Sequence, residues 1–119
     1  MIFVGGISPD LEGEDKYFVN CPGFSGGDRT TIELPEVQRN ILKALKQAGK
    51  KVIFVNCSGS AVALVPETKS CDAILQAWYP GQAGGTAVAD VLFGDYNPSG
   101  KLPVTFYKNT DQLPDFENY

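Results

Sequence analysis

The sequence contains no histidine in 119 residues, and this absence restricts its chemistry more than any other feature. Without an imidazole, neither a Ser-His-Asp nor a Cys-His catalytic arrangement can be assembled within the chain. The commonest side-chain ligand of transition metals is missing too. The three cysteines form no C-x-x-C pair, so they indicate neither a zinc site nor a disulfide framework. We therefore expect no metal site.

The sequence also lacks an excess of basic residues and any long apolar run. Ten Lys and Arg stand against 14 Asp and Glu, and the net charge is −4. Binding to nucleic acid needs a basic stripe, so we expect no nucleic-acid partner. No apolar run approaches the roughly 20 residues that a membrane-spanning helix needs. The length of 119 residues allows one domain at most. The composition, with 43% apolar and 20% charged residues, is that of a folded globular protein.

Continuous apolar runs predict strands at residues 2–4, 52–55 and 73–78. Such runs, rich in β-branched residues, are typical of parallel strands that are buried on both faces. Residues 61–65 are apolar but ambiguous between a short strand and an edge. Residues 102–107 alternate and predict a late strand, with Pro103 near its start.

Two segments with helical periodicity lie between these runs. Residues 35–48 carry apolar side chains at helical spacing, with Pro35 in the first turn and Gly49 as a stop. Residues 82–93 predict a second helix, which Gly94 ends. Strands that alternate with helices indicate an α/β fold, here a three-layer α/β/α sandwich with a mostly parallel sheet. Because no helix precedes the first strand, we predict an incomplete domain that begins in its interior.

A loop of more than twenty residues, from Ile7 to about Glu33, shows neither a helical nor a strand period. Loops of this length are uncommon in compact domains and are usually functional or disordered. It contains Glu12, Glu14 and Asp15, three acidic groups within four positions. Once covered, such a cluster would raise at least one pKa, as a general acid requires. A solvated acidic loop is the alternative that the residues alone favour.

Four groups of residues together carry a family resemblance. They are Leu-Glu-Gly-Glu-Asp at 11–15 with Gly-Asp-Arg at 27–29 and Leu-Pro at 34–35; Val-Ile-Phe-Val-Asn-Cys-Ser-Gly-Ser at 52–60; Ala-Trp-Tyr-Pro-Gly-Gln-Ala-Gly-Gly at 77–85 with Ala-Asp-Val-Leu-Phe-Gly-Asp at 89–95; and Asn-Pro-Ser-Gly-Lys-Leu-Pro-Val-Thr-Phe at 97–106. In this order and spacing they resemble the second, α/β sandwich domain of family 3 glycoside hydrolases, in its C-terminal portion. The third and fourth groups in tandem are the most specific.

The resemblance implies a retaining β-glycosidase that acts on non-reducing ends of oligosaccharides or β-glycosides and needs no cofactor. It implies an aspartate nucleophile on a preceding barrel domain, which would be the partner of this segment. It also implies a glutamate acid/base on a loop of the second domain, which is Glu14 here. The pattern around Glu14 is more like the β-xylosidase branch than the β-glucosidase branch.

One departure from the family pattern leaves the acid/base assignment open. The Asp28-Arg29 pair stands farther downstream of Glu14 than in related sequences, after an apparent insertion. Glu12 is therefore the alternative acid/base, and otherwise a candidate substrate contact. For Asp28 and Arg29 we predict a structural role, in which they fasten the long loop to the domain.

The prediction for the isolated chain is inactivity, because it lacks the sugar-holding domain. We assign residues 1–108 to the partial sandwich domain and residues 109–119 to a loosely held tail or linker toward a following domain. The family resemblance suggests a periplasmic or secreted location. The rival reading is a non-catalytic, flavodoxin-like α/β module for binding or interaction. Trp78 and Tyr79, at the end of a predicted strand, could stack on a sugar, and the alternative for Trp78 is a place in the core.

Overall fold

A computed structural model describes residues 1–12, 21–115, 117 and 118. Its centre is a three-stranded, fully parallel sheet. In their order across the sheet, the strands are β1 (Ile2–Gly6), β4 (Ile53–Cys57) and β5 (Ala73–Gln76). Ile2 pairs with Ile53, which in turn pairs with Ala73. The predicted α/β class with a parallel sheet is therefore confirmed.

Two helices follow the predicted segments closely. Helix α2 spans Glu36–Gln47, directly after Pro35, and Gly49 follows it with a φ of +71°. Helix α3 spans Gly84–Phe93 and ends at Gly94, whose φ is +86°. The left-handed backbone at each end is the conformation that favours glycine after a helix.

The core lies between the sheet, helix α2 and the segments that flank them. Seven buried side chains form it: Ile7, Leu34, Leu42, Val52, Phe54, Val62 and Cys71. Gln38 of helix α2 adds a polar link, because its amide accepts from the Gly6 N–H at 2.8 Å and donates to the Gly6 carbonyl at 2.7 Å. These two hydrogen bonds between the Gln38 side chain and the Gly6 backbone fix the helix at the carboxyl end of β1.

The long loop between β1 and helix α2 contains more structure than the sequence predicts. A helical turn, α1 (Pro9–Glu12), follows β1, and Ser8 accepts N–H bonds from Leu11 and Glu12. Farther on, β2 (Phe24–Ser25) and β3 (Asp28–Arg29) pair in an antiparallel hairpin. Elements of two to four residues are too short to produce a detectable period, which is why the sequence suggests only a loop.

Two other expectations fail in the described part of the chain. Residues 102–107 form no strand; Leu102 and Val104 are each 53% exposed and pair with no neighbouring strand. The start of the predicted loose tail is fastened, because Glu33 accepts from the Thr110 N–H at 2.8 Å and the Thr110 hydroxyl at 2.6 Å. The assignment of 109–119 as a linker stays a prediction.

Asp72 ties the start of β4 to the start of β5. It accepts the Val52 N–H at 2.9 Å and contacts the ammonium groups of Lys46 and Lys51 at 3.3 and 3.4 Å. The Val52 N–H, followed by the two lysines, holds the pKa of Asp72 at about 2. The contribution of Asp72 to stability should therefore be present above pH 4 and be lost as the pH falls toward 2.

We expect Asp72→Asn to lower the midpoint of thermal unfolding at neutral pH, because the amide cannot attract either lysine. The difference in unfolding midpoint between Asp72→Asn and the unsubstituted protein should shrink as the pH falls from 4 to 2. Unfolding scans across that range would measure it, with the exposed Asp95 replaced by asparagine as the control. A deficit that does not change with pH would contradict the assignment.

Candidate active site

Three chain segments meet at the carboxyl edge of the parallel sheet. Helix α1 follows β1, residues 58–60 follow β4, and Trp78 and Tyr79 come shortly after β5. In open α/β sheets this edge is where ligand-binding loops lie. The acidic stretch that begins at Glu12 thus starts from the edge of the sheet that is suited to a binding site.

The carboxylate of Glu12 is held by two hydroxyl groups at this edge. Its Oε1 accepts the Ser60 hydroxyl at 2.6 Å, and its Oε2 lies 2.7 Å from the hydroxyl oxygen of Tyr79. The Tyr79 hydroxyl also lies 2.8 Å from the Ile7 carbonyl oxygen. Hydrogen bonds to a carboxylate are short and strong relative to neutral ones. Glu12 is therefore bonded to the segments that follow two neighbouring strands.

Arg29 extends this cluster toward the β2–β3 hairpin. Its Nη1 donates to the Ser60 hydroxyl at 2.9 Å and to the Ala61 carbonyl at 3.0 Å, and its Nε donates to the Thr31 carbonyl at 3.3 Å. Burial lowers the pKa of Arg29, while the Glu12 carboxylate opposes that shift. A guanidinium remains protonated in proteins, so it supplies a positive charge close to Glu12.

Tyr79 stays a hydroxyl donor over a wide pH range. Burial, followed by the hydrogen bond to Glu12, raises the pKa of Tyr79 to about 12. Its ring passes close to Gly59: a Cβ at that position would lie 2.5 Å from Tyr79 Cε2 and 3.0 Å from Glu12 Oε2. Glycine at position 59 thus allows the ring and the carboxylate to approach the backbone.

Trp78 has a strained backbone at the same edge. Its φ of +58° lies in the left-handed region, which is rare for a bulky residue. Its ring packs edge-on against Phe106, with ring centroids 5.9 Å apart. Strain of this kind is often found at functional sites, where the surrounding structure maintains it. Trp78 directly precedes Tyr79, the residue that contacts Glu12.

The serines after β4 belong to a structural polar network. Ser58 is fully buried and donates to the Ser60 carbonyl at 2.8 Å. The Asn56 side-chain amide donates to the Ser58 hydroxyl at 3.1 Å and to the side-chain oxygen Oε1 of Gln76 at 2.6 Å. These bonds join β4, β5 and the turn between residues 57 and 60. They hold the backbone from which Ser60 reaches Glu12.

Three of the four predicted site residues lie in the described part of the chain. Glu14, the predicted acid/base, lies outside the described residues, so its role stays a prediction. Glu12 lies in the hydroxyl cluster, and Arg29 contacts the same cluster. Asp28 is exposed on β3. Sequence reasoning missed Ser60 and Tyr79 as partners of Glu12; their positions shortly after parallel strands were the available signal.

Within residues 1–12, 21–115, 117 and 118, no group of three metal-binding side chains occurs. Over the same part of the chain, no helix has the length and apolar character needed to cross a membrane.

Comparison with known proteins gives a consistent result over the whole chain. Residues 1–119 match the model of the glycosyl hydrolase family 3 C-terminal domain. The chain is 76% identical over all 119 residues to a xylan 1,4-beta-xylosidase of Xylanibacter ruminicola, and spans 14% of its length. It is 51% identical over 86 residues, or 72% of the chain, to a periplasmic beta-glucosidase of Salmonella typhimurium, and spans 11% of that protein.

The crystal structure of a beta-glucosidase from Listeria innocua in complex with isofagomine has the same fold. It superposes with a TM-score of 0.77 at 32% identity, over 99% of this chain and 15% of that one. The chain belongs to glycoside hydrolase family 3, as part of its C-terminal domain.

Proposed function

We propose that this chain is the part of a retaining, exo-acting β-glycosidase that supplies the acid/base glutamate. The observation that carries the proposal is the fixed start of the acidic stretch. Glu12 is bonded to Ser60 and Tyr79 at the carboxyl edge of the sheet, and Glu14 follows two residues later. The match to the family over residues 1–119 supports it and favours a hydrolase over a flavodoxin-like binding module.

Retaining hydrolysis divides its chemistry between two carboxyl groups about 5–5.5 Å apart. One attacks the anomeric carbon, and the other first protonates the departing oxygen and then activates water. In our proposal the nucleophile belongs to a barrel domain of the full-length protein, which also holds the sugar. This chain contributes the second carboxyl group and is inactive when isolated.

Between the two candidate acids, the contacts favour Glu14. Both oxygens of Glu12 accept hydroxyl groups of this same chain. A general acid must instead direct its proton at the glycosidic oxygen. We therefore propose that Glu12 anchors the start of the loop and that Glu14 transfers the proton.

The proposed substrate is a terminal β-linked xylose, with β-linked glucose as the second candidate. The xylan 1,4-beta-xylosidase is 76% identical, and several other relatives are beta-glucosidases. We also propose a periplasmic or secreted location, because the Salmonella typhimurium relative is named a periplasmic beta-glucosidase. Hydrolysis of matched aryl β-xylosides and β-glucosides by the full-length protein would decide between the sugars.

Chemical rescue tests the acid/base assignment directly. In Glu14→Ala, an activated aryl β-glycoside should still form the glycosyl–enzyme ester, but no base remains to activate water. Azide needs no base, so its nitrogen can attack the anomeric carbon and release the nucleophile carboxylate. We expect azide to accelerate turnover and to yield the β-glycosyl azide, with Glu12→Ala as the matched control. Rescue of Glu12→Ala instead would assign the role to Glu12, and rescue of neither variant would refute the proposal.

A further inference from the structure

The cluster around Glu12 fixes the chain immediately before the proposed acid/base. The Glu12 N–H donates to the Ser8 carbonyl at 3.0 Å, which fixes its backbone in helix α1. Its side chain is bonded to Ser60 after β4 and to Tyr79 after β5. Residue 12 is thus attached to the segments that follow all three strands of the sheet.

Position 14 is only two residues from this attachment in the sequence. Two residues of fully extended chain span at most about 7 Å, which bounds the distance between the Cα atoms of residues 12 and 14. In the proposed scheme, a shift of Glu12 moves the point from which the segment carrying Glu14 departs. Misplacing a catalytic group by about 1 Å can cost on the order of 100-fold in rate.

Tyr79 is the partner of Glu12 that is built most specifically for this contact. A Cβ at position 59 would lie 2.5 Å from the Tyr79 ring and 3.0 Å from Glu12 Oε2, so glycine there leaves room for the contact. Trp78, which precedes Tyr79, has a left-handed backbone. The Tyr79 hydroxyl lies near the Ile7 carbonyl, so it also meets the segment that leads into helix α1.

We propose that Tyr79 is a positioning residue for the acid/base step, acting through Glu12 on the segment that carries Glu14. This inference rests on the proposed function. Tyr79 itself does not contact the reacting atoms in this scheme. Its hydroxyl holds Glu12 so that the carboxyl group at position 14 reaches the leaving-group oxygen.

The test uses the full-length protein with Tyr79→Phe, which removes the hydroxyl and keeps the ring against Gly59. For a β-linked disaccharide, which has a poor leaving group, we expect kcat to fall about 10-fold with little change in KM, because the proton donor is misplaced. For a dinitrophenyl glycoside, whose departure needs no proton, formation of the glycosyl–enzyme should change less than 2-fold. Tyr96→Phe, at an exposed position, is the matched control.

A double substitution separates positioning from a general structural effect. In a Glu14→Gln background, Tyr79→Phe should cause no further loss with the disaccharide, because the group that it positions is gone. If Tyr79→Phe folds poorly, Ser60→Ala replaces it in the test. Ser60→Ala removes the donor to the other Glu12 oxygen and should show the same dependence of rate on the leaving group.

Two results would overturn the inference and leave the proposed function intact. The first is that Tyr79→Phe lowers the rate equally with the disaccharide and the dinitrophenyl glycoside. The second is that Tyr79→Phe lowers the rate as much in the Glu14→Gln background as in the unsubstituted protein. If Glu14→Gln itself shows no dependence on the leaving group, the proposed function fails, and the positioning role fails with it.

Discussion

In the full-length protein, Glu14→Gln is expected to lower kcat/KM for a β-linked disaccharide by about 10²–10⁴-fold, the usual contribution of a general acid. The departing sugar alkoxide is a strong base, so its bond to the anomeric carbon breaks slowly without a proton. Glutamine has nearly the same shape as glutamate but has no proton to transfer in this way. Rates of disaccharide hydrolysis under steady-state conditions would measure the loss.

The same variant should cleave a dinitrophenyl glycoside to the glycosyl–enzyme at nearly the normal rate. That leaving group departs as a stable anion, and the first step needs no acid. The second step still needs a base, so the intermediate should accumulate and produce a burst of released phenol. The fall of activity at high pH, where the acid loses its proton, should also disappear for the disaccharide.

Glu12→Gln is the matched control for this prediction. It retains one acceptor oxygen for a hydroxyl group but loses the charge beside Arg29. We expect a moderate loss with the disaccharide, without accumulation of the intermediate. If Glu12→Gln shows the burst and Glu14→Gln does not, the acid/base assignment passes to Glu12.

The sheet and the two long helices could be predicted from the sequence because each rests on a local pattern. The run around Phe54 is apolar and buried, and helix α2 buries Leu42 within a periodic segment. The predicted strand at 102–107 fails because alternation alone does not supply a partner. The described part of the chain places no strand beside it, and Pro103 has no N–H to donate.

The candidate site could be predicted only in part, for a related reason. The acidic cluster is local and visible in the sequence, and the family resemblance selects Glu14 and Glu12 from it. The partners of Glu12 are 48 and 67 positions away, at Ser60 and Tyr79. No periodicity joins residues at that separation. Only the parallel pairing of the strands brings them to one edge, so the cluster is a consequence of topology rather than of a motif.

Gly6→Ala should have the largest effect on folding, since position 6 combines an unusual backbone with a close contact. Gly6 has a φ of +128°, and a Cβ there would lie 1.9 Å from the Cys57 carbonyl oxygen. That oxygen accepts the Ile7 N–H at 2.9 Å, and Gln38 holds both backbone groups of Gly6. Neither backbone can yield without breaking these bonds. We expect the free energy of unfolding to fall by more than about 3 kcal/mol, the sum of left-handed strain and the loss of at least one of these hydrogen bonds.

Gly85→Ala is the matched control for this substitution, because it makes the same chemical change where the chain has room. Gly85 lies in helix α3, and apart from its chain neighbours and the nearby backbone of its own helix, no described atom lies within 4 Å of an added Cβ. There alanine should stabilise the protein by about 0.5–1 kcal/mol, since glycine weakens a helix. The thermal midpoint and the yield of folded full-length protein would compare the two variants. A Gly6→Ala protein as stable as Gly85→Ala would show that β1 does not end against β4 in the conformation described, and the position of helix α1 and Glu12 would have to be reconsidered with it.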